Sequence, residues 1–325
     1  MKKYKAVFIS GSTDYVYSKE QQAEIAVLTD LYPRVLDAKT FRDEDLSEVE
    51  VIFSSWGMPC LDEDDFKRMP RLKVVFYAAG ATDAFARPLF AHGVLLCSAW
   101  RANAIPVAEF AAAQIVLSMK NYFSPLMRVR SAKDWSFEHL GPGCYGETVA
   151  LLGAGAISSR VRELLEPYRL NVIVVPSHPE RRTVSLEEAF RTAYVISNHF
   201  PNREDNRKTL TREMFASMRK GATFINTGRG AQVDEAGLAE VLATRPDLTA
   251  LLDVTWPEPP EEDSPLYRLP NVILTPHIAG SANDEVHRMA DWMIEDFKRF
   301  AAGLPVENQV TEKQLLSYTP SRANS

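Results

Sequence analysis

Apolar runs of a few residues alternating with helix-spaced segments, in a chain of 325 residues, predict an α/β protein built on parallel sheets. Two further observations support this class. Around residues 149–175 a strand, a glycine-bearing turn, a helix and a second strand follow in order. Several apolar runs also end abruptly on polar residues, as buried strands do when they deliver side chains to one edge of a sheet. With 46% hydrophobic residues the chain can bury a large core, and two domains are expected.

Composition narrows the function classes. The formal charge is -6 with both signs mixed along the chain, so there is no basic stripe for nucleic acid and no polybasic membrane patch. Cys60, Cys97 and Cys144 are too few and too scattered for a disulfide framework or a zinc site, so no metal is expected and a reducing, cytoplasmic setting fits. The start, MKKYKAVFIS, reads as a strand rather than a leader, and no later segment is expected to reach the length of a membrane span.

Taken in order, residues 6–9 read as a strand, and 20–31 as a helix with Ile25, Leu28 and Leu31 at helical spacing. Residues 51–53 form a strand before the turn Trp56-Gly57-Met58-Pro59. Residues 61–69 follow as a short acidic helix and 72–77 as a strand bounded by Ala78-Ala79-Gly80. A helix over 83–91 and a strand over 94–97 complete a first, smaller domain. Residues 103–123 read as one alanine-rich helix with Pro106 near its first turn, where a missing N–H costs least. Its apolar residues wrap most of its circumference, so it is expected to be buried between domains or between subunits. Residues 124–145, with Gly141-Pro142-Gly143, are expected to be irregular.

The run 149–152 enters Gly153-Ala154-Gly155-Ala156-Ile157-Ser158, then an amphipathic helix to Leu165 and a second strand over 172–175. Glycines here allow close backbone approach, and the helix N–H groups face a pyrophosphate, so this turn is read as a dinucleotide site with Ser158 in place of a third glycine. At the end of the second strand an acid would bind the ribose hydroxyls of NAD and a base would favour NADP. The chain reads Pro176-Ser177-His178-Pro179-Glu180-Arg181-Arg182, with no acid in the expected place. Arg181 and Arg182 fit either phosphate recognition or a solvated surface pair, which leaves NAD and NADP both open.

The alternation continues with a helix over 186–191, a strand over 194–197, a helix over 212–218 and a strand over 222–225. That strand opens into Asn226-Thr227-Gly228-Arg229-Gly230, which presents a guanidinium fork matched to a carboxylate. After a helix over 234–243, Ala250-Leu251-Leu252 stops on Asp253, a proline-rich loop carries Glu258, and the run 271–274 leads to His277. A carboxylate beside an imidazole orients the ring and fixes its tautomer, an arrangement suited to proton transfer. A long helix over 281–302 precedes a polar tail expected to fray from about Thr311.

INTGRGAQVDE (225–235), LDVTWPEP (252–259), LTPHIAGS (274–281), the GAGAIS turn and PVAEF (106–110) together resemble the NAD(P)-dependent D-isomer-specific 2-hydroxyacid dehydrogenases. The resemblance implies two Rossmann-like or flavodoxin-like parallel-sheet domains, the nucleotide-binding one inserted into the other. The substrate domain would be 1–101 with 296–325, and the NAD(P)-binding domain 102–295. It also implies a homodimer joined through the helix at 103–123 and a catalytic set of Arg229, Glu258 and His277. Asp253 would contact the nicotinamide carboxamide. Further dinucleotide contacts are implied at Gly153, Gly155, Ala156, Ile157, Ser158, Ser177, His199, Phe200, Pro201, Thr227, Gly228, Arg229, His277 and Gly280.

The implied reaction is hydride transfer between NAD(P)H and a small 2-keto acid, for example glyoxylate or hydroxypyruvate, giving the D-2-hydroxy acid. The substrate carboxylate would rest on backbone N–H groups of Ala79, Gly80 and Ala81 and on Arg229, which also polarises the keto oxygen. Trp56 would line the substrate site, and His277 would donate the proton. The chain departs from the family pattern at Ser158, at Pro176 where an acid is usual, at Asn206 where a threonine is usual, and in AAGAT at 78–82. Formate dehydrogenases carry glutamine where Glu258 stands, so formate oxidation is not expected. A second function class is a dinucleotide-sensing binding protein related to dehydrogenase-like corepressors.

Overall fold

The computed structural model describes residues 3–135 and 140–314. In chain order the elements are β1 (Lys5–Phe8), α1 (Thr13–Val16), α2 (Lys19–Leu28), β2 (Asp30–Leu31), β3 (Val51–Ser54), α3 (Glu63–Arg68), β4 (Val74–Tyr77), α4 (Ala86–Ala91), β5 (Leu95–Ser98) and α5 (Trp100–Met119). There follow α6 (Phe123–Arg128), β6 (Tyr145–Leu152), α7 (Ala156–Leu165), β7 (Arg169–Val175), α8 (Leu186–Thr192), β8 (Val195–Asn198), α9 (Arg212–Ser217), β9 (Thr223–Asn226), α10 (Glu235–Thr244), β10 (Thr249–Leu252), β11 (Val272–Leu274) and α11 (Val286–Ala301). The chain divides into two compact units, Met1–Ala104 with Ser281–Ser325, and Ile105–Gly280.

The first unit holds a parallel sheet in the order β2-β1-β3-β4-β5. Its central strands β3 and β4 are buried throughout, which is why they read as unbroken apolar runs rather than as an alternation. Val7, Ile52 and Val75 face Phe66 of α3 and Leu89 of α4 on one side. Phe8, Phe53 and Phe76 face Met289, Met293 and Phe297 of α11 on the other, and Phe297 meets Phe53 and Phe76 edge-on at 5.4 and 5.8 Å.

The second unit holds a parallel sheet in the order β11-β10-β9-β8-β6-β7. Alternate residues of each strand point to opposite faces. Ala150, Ile196, Phe224 and Leu252 pack under α8, α9 and α10, while Val149, Leu151, Val195 and Ile225 pack against Ala108, Ala111 and Ile115 of α5 and Val161 of α7. The chain runs outward from β6 to β7 and returns on the opposite flank as β8. The carboxyl ends of β6 and β8 therefore form a topological switch point, where such sheets bind ligands.

The structure differs from the sequence reading in several places. The expected domain boundary at 295/296 falls instead at Gly280/Ser281, because Val286, Met289, Ala290 and Met293 of α11 are core residues of the first unit. The helix expected over 103–123 runs Trp100–Met119, and the chain then turns at Asn121, whose φ of 52° is a left-handed conformation that asparagine tolerates. Within the stretch expected to be irregular lie α6 and the start of β6, while residues 136–139 lie outside the described residues. At 20 residues and a mean hydropathy of 1.3, α5 has the length and composition of a membrane span, contrary to expectation, although 56% of that window is buried inside the protein. Much of the tail expected to fray, residues 315–325, lies outside the described residues.

Candidate active site

At the switch point the turn after β6 meets the loop after β8. Gly153 has φ +116°, its N–H donates to the Val175 carbonyl at 2.8 Å, and a Cβ on it would lie 2.7 Å from the His199 carbonyl oxygen. Only glycine satisfies both the conformation and the contact. Gly155 occupies the N-cap of α7 without a side-chain cap, and a Cβ built on it would meet nothing within 4 Å. The first N–H groups of α7, at Ala156, Ile157 and Ser158, have no intrahelical acceptor and sit at the positive end of the helix dipole. This donor set fits a pyrophosphate. Ser158 is buried on the face that carries Val161 and Leu165, so the small side chain in place of glycine is absorbed in helix–sheet packing.

The loops after β8 and β9 are joined by polar side chains. His199 contacts Ser197 Oγ at 3.0 Å and Thr227 Oγ1 at 3.1 Å, and burial pushes its pKa down to about 3, so the ring is neutral at ordinary pH. Asn198 Nδ2 donates to Asn226 Oδ1 at 2.9 Å and to Gln232 Oε1 at 2.7 Å, while Gln232 Nε2 donates to the carbonyls of Phe200 (2.9 Å) and Pro201 (2.7 Å). Asn206 adds a donor to Pro201. Gly228 sits so close to Asn198 Nδ2 that a Cβ would lie 2.8 Å from it. Asn198, Asn226 and Gln232 escaped the sequence reading. Their only signal is a polar residue at the end of an apolar strand, or one place inside a helix turn, where many side chains simply face water.

The three strands β9, β10 and β11 end level, with Leu252 in register with both Asn226 and Leu274. Their carboxyl ends therefore bring Arg229, Asp253 and His277 to one edge. Gly230 makes this approach possible, since a Cβ there would lie 2.0 Å from the Thr255 carbonyl carbon. Arg229 is half-buried and donates to the Gly228 carbonyl at 2.8 Å; among the described residues no carboxylate pairs with its guanidinium. His277 has φ +55°, and its N–H is held by the Asp253 carbonyl at 3.0 Å. Its Nδ1 lies 2.6 Å from Glu258 Oε1, with both side chains open to solvent.

Asp253 is buried at the root of this loop. Its Oδ1 accepts from Thr275 Oγ1 at 2.6 Å and the Ile278 N–H at 2.8 Å, and its Oδ2 accepts from the Ala279 N–H at 2.9 Å. It therefore shapes the loop that presents His277 and ends in half-buried Gly280, work that the sequence reading did not assign to it.

Of the remaining candidates, the Phe200 side chain belongs to the core, so only its backbone faces the switch point. Arg182 donates to the carbonyls of Pro176 (2.9 Å) and Ser177 (2.8 Å), which makes it a brace for its own loop, and Arg181 is exposed. In the first unit Trp56 follows β3 and lies partly exposed beside Tyr15. Ser98 Oγ holds the Ala79 and Gly80 carbonyls, each at 2.9 Å, and among the described residues the N–H groups of Ala79, Gly80 and Ala81 have no acceptor.

A glycine turn at the switch point of a parallel sheet marks a nucleotide-binding α/β protein, and at the carboxyl ends of the same sheet stand a carboxylate-held imidazole and an arginine with no carboxylate partner among the described residues. A family model described as D-isomer specific 2-hydroxyacid dehydrogenase, NAD binding domain, matches residues 113–279. The chain is similar to a D-3-phosphoglycerate dehydrogenase of Bacillus subtilis, at 31% identity over 76% of this chain and 49% of that protein. It is also similar to a glycerate dehydrogenase of Methylorubrum extorquens, at 27% identity over 74% of this chain and 80% of that one. The chain thus spans about half the length of the Bacillus relative. In fold it is similar to the D-mandelate dehydrogenase of Rhodotorula graminis, with a TM-score of 0.79 over 96% of this chain and 98% of that one at 19% identity. The chain belongs to the D-isomer specific 2-hydroxyacid dehydrogenase family, and the Gly153 turn lies in the stretch matched as its NAD-binding domain.

Proposed function

We propose that this chain is an NAD(P)-dependent oxidoreductase that interconverts a small 2-keto acid, such as glyoxylate or hydroxypyruvate, and the D-2-hydroxy acid. The observation that carries this reading is the 2.6 Å contact between Glu258 and His277 at the sheet edge that also presents Arg229. Glu258 accepts from Nδ1–H, which leaves Nε2 to exchange the proton with the substrate oxygen. Arg229, free of a carboxylate partner among the described residues, offers its fork to the substrate carboxylate and polarises the keto oxygen. A nicotinamide held at this site would supply the hydride in reduction and receive it in oxidation.

Asp253 Oδ2, with one bond made, retains a lone pair for the nicotinamide carboxamide. The N–H groups of Ala79, Gly80 and Ala81, without an acceptor among the described residues, support their assignment as carboxylate donors, and Trp56 is retained as a substrate contact. The similarity to a glycerate dehydrogenase supports a small hydroxy acid. A homodimer joined through α5 and a cytoplasmic location complete the proposal; sedimentation of the purified chain tests the dimer.

The reaction is tested by following nicotinamide absorbance with the purified protein, NADH or NADPH, and a panel of 2-keto acids. Turnover that disappears in His277→Ala while dinucleotide binding persists is the expected result. Dinucleotide binding with no turnover on any acid would replace this reading with the dinucleotide-sensing one.

A further inference from the structure

Arginine is among the residues least often buried, yet the Arg203 side chain is only 7% exposed. It comes from the loop after β8, not from the loop after β7 that carries Arg181 and Arg182. One edge of its guanidinium clasps Asp205: Nε reaches Oδ1 at 2.7 Å and Nη2 pairs with Oδ2. Asp205 thereby fixes the direction of the opposite corner, Nη1. That corner faces the loop after β7, 3.5 Å from Ser177 Oγ and 3.0 and 2.6 Å from the two ring nitrogens of His178.

This is a cluster of donors with too few acceptors. A neutral imidazole has one acceptor nitrogen, and the other carries a hydrogen. Nη1–H, the imidazole N–H and the Ser177 hydroxyl therefore converge with one nitrogen lone pair and one hydroxyl oxygen among them. The acids nearby are Asp205, already engaged on the far edge, and exposed Glu180, whose Oε1 stands 3.6 Å from His178 Nδ1. An oxyanion placed among these groups would accept from all three.

The position identifies the anion. With a pyrophosphate on the N–H groups of α7, the end of the second strand of the βαβ unit is where the adenosine ribose lies, and a phosphate on that ribose distinguishes NADP from NAD. We propose that Arg203, aided by Ser177 and His178, binds the 2′-phosphate of NADP(H), so that this chain takes NADP(H) in preference to NAD(H). Arg182 is set apart from this cluster: its Nε and Nη2 donate to the Pro176 and Ser177 carbonyls and brace its own loop. The assignment rests on the reading of the Gly153–Ser158 turn as a dinucleotide site.

The test is equilibrium titration of the full chain with NADP⁺ and NAD⁺, and with the fragments 2′,5′-ADP and 5′-ADP, by calorimetry. The wild type is expected to bind the 2′-phosphorylated member of each pair at least about tenfold more tightly. Arg203→Ala should remove most of that ratio while moving NAD⁺ affinity by less than about threefold, and Arg203→Lys should restore part of it as a point charge. Because Arg203 is buried, thermal melts accompany each variant, and His178→Gln, a milder change, should also lower the ratio. Arg181→Ala should leave it unchanged. Equal affinities in the wild type, equal loss of both dinucleotides in Arg203→Ala, or collapse of the ratio in Arg181→Ala would each overturn the Arg203 assignment and leave the dinucleotide site standing. Failure of the wild type to bind either dinucleotide would overturn both.

Discussion

Gly230 and Thr255 approach so closely that a Cβ on the glycine would fall 2.0 Å from both the carbonyl carbon and the carbonyl oxygen of the threonine. This backbone contact seats the turn bearing Arg229 against the loop that leads to Glu258. Neither partner in the contact is a flexible side chain, so a larger residue at 230 must displace one loop or the other.

Gly230→Ala should therefore cost about 1–3 kcal/mol of stability, as overpacking does, and lower turnover through misplacement of Arg229. Urea unfolding and steady-state kinetics measure the two effects. A variant with wild-type values for both would show that the contact is slack.

Asp253→Asn retains the shape of the side chain but turns an amide NH₂ toward a hydroxyl or a backbone N–H that now donates to a carboxylate. The expected loss is about 1.5–3 kcal/mol for each charge-assisted bond that cannot re-form. Turnover should fall because the His277 loop shifts, and Thr275→Val, which removes only the hydroxyl donor, should show a smaller loss of the same kind. Unchanged melting in Asp253→Asn would deny the carboxylate its role in shaping the loop.

Removing either member of the Glu258–His277 pair should lower kcat by about 10²–10⁴ with the dinucleotide Kd nearly unchanged. The two groups act on one proton, so Glu258→Gln combined with His277→Ala should be little worse than His277→Ala alone. Additive losses would show two independent roles.

His199 is predicted to make stability fall in acid. Its pKa is depressed by burial from an ordinary 6.5 to about 3, so below about pH 6.5 the unfolded chain binds a proton that the folded chain refuses. The stabilisation is complete above that pH and is lost as pH falls toward 3, at a slope approaching 1.4 kcal/mol per pH unit, an order-of-magnitude figure from proton linkage. Between pH 7 and 5, above the range where carboxylates titrate, His199→Gln should flatten the stability profile. An equal slope in both proteins would show that the ring gains a proton without unfolding.

Much of the fold was legible because buried parallel strands are apolar on both faces and stop sharply, as 51–54 and 249–252 do. The two-residue strand Asp30–Leu31 was not, being too short to leave any period. Nor was the membership of α11, since an amphipathic helix reports that it has a buried face but not which sheet covers it. The glycines of the site could be read by type, yet Gly153 and Gly230 are required by backbone atoms of His199 and Thr255, far along the chain from them.

The sequence by itself determined the α/β alternation, the glycine turn between strand and helix at Gly153, and the presence of Arg229 and His277 just beyond apolar runs with Glu258 in a proline-rich loop, because each depends on residues near one another in the chain. The tertiary structure decided which groups those residues meet. It committed Asp253 to the loop of His277, committed Arg182 to its own backbone, and turned Arg203 toward Ser177 and His178. Side-chain partners are set by strand order, and strand order brings together residues whose separation in sequence carries no period to read.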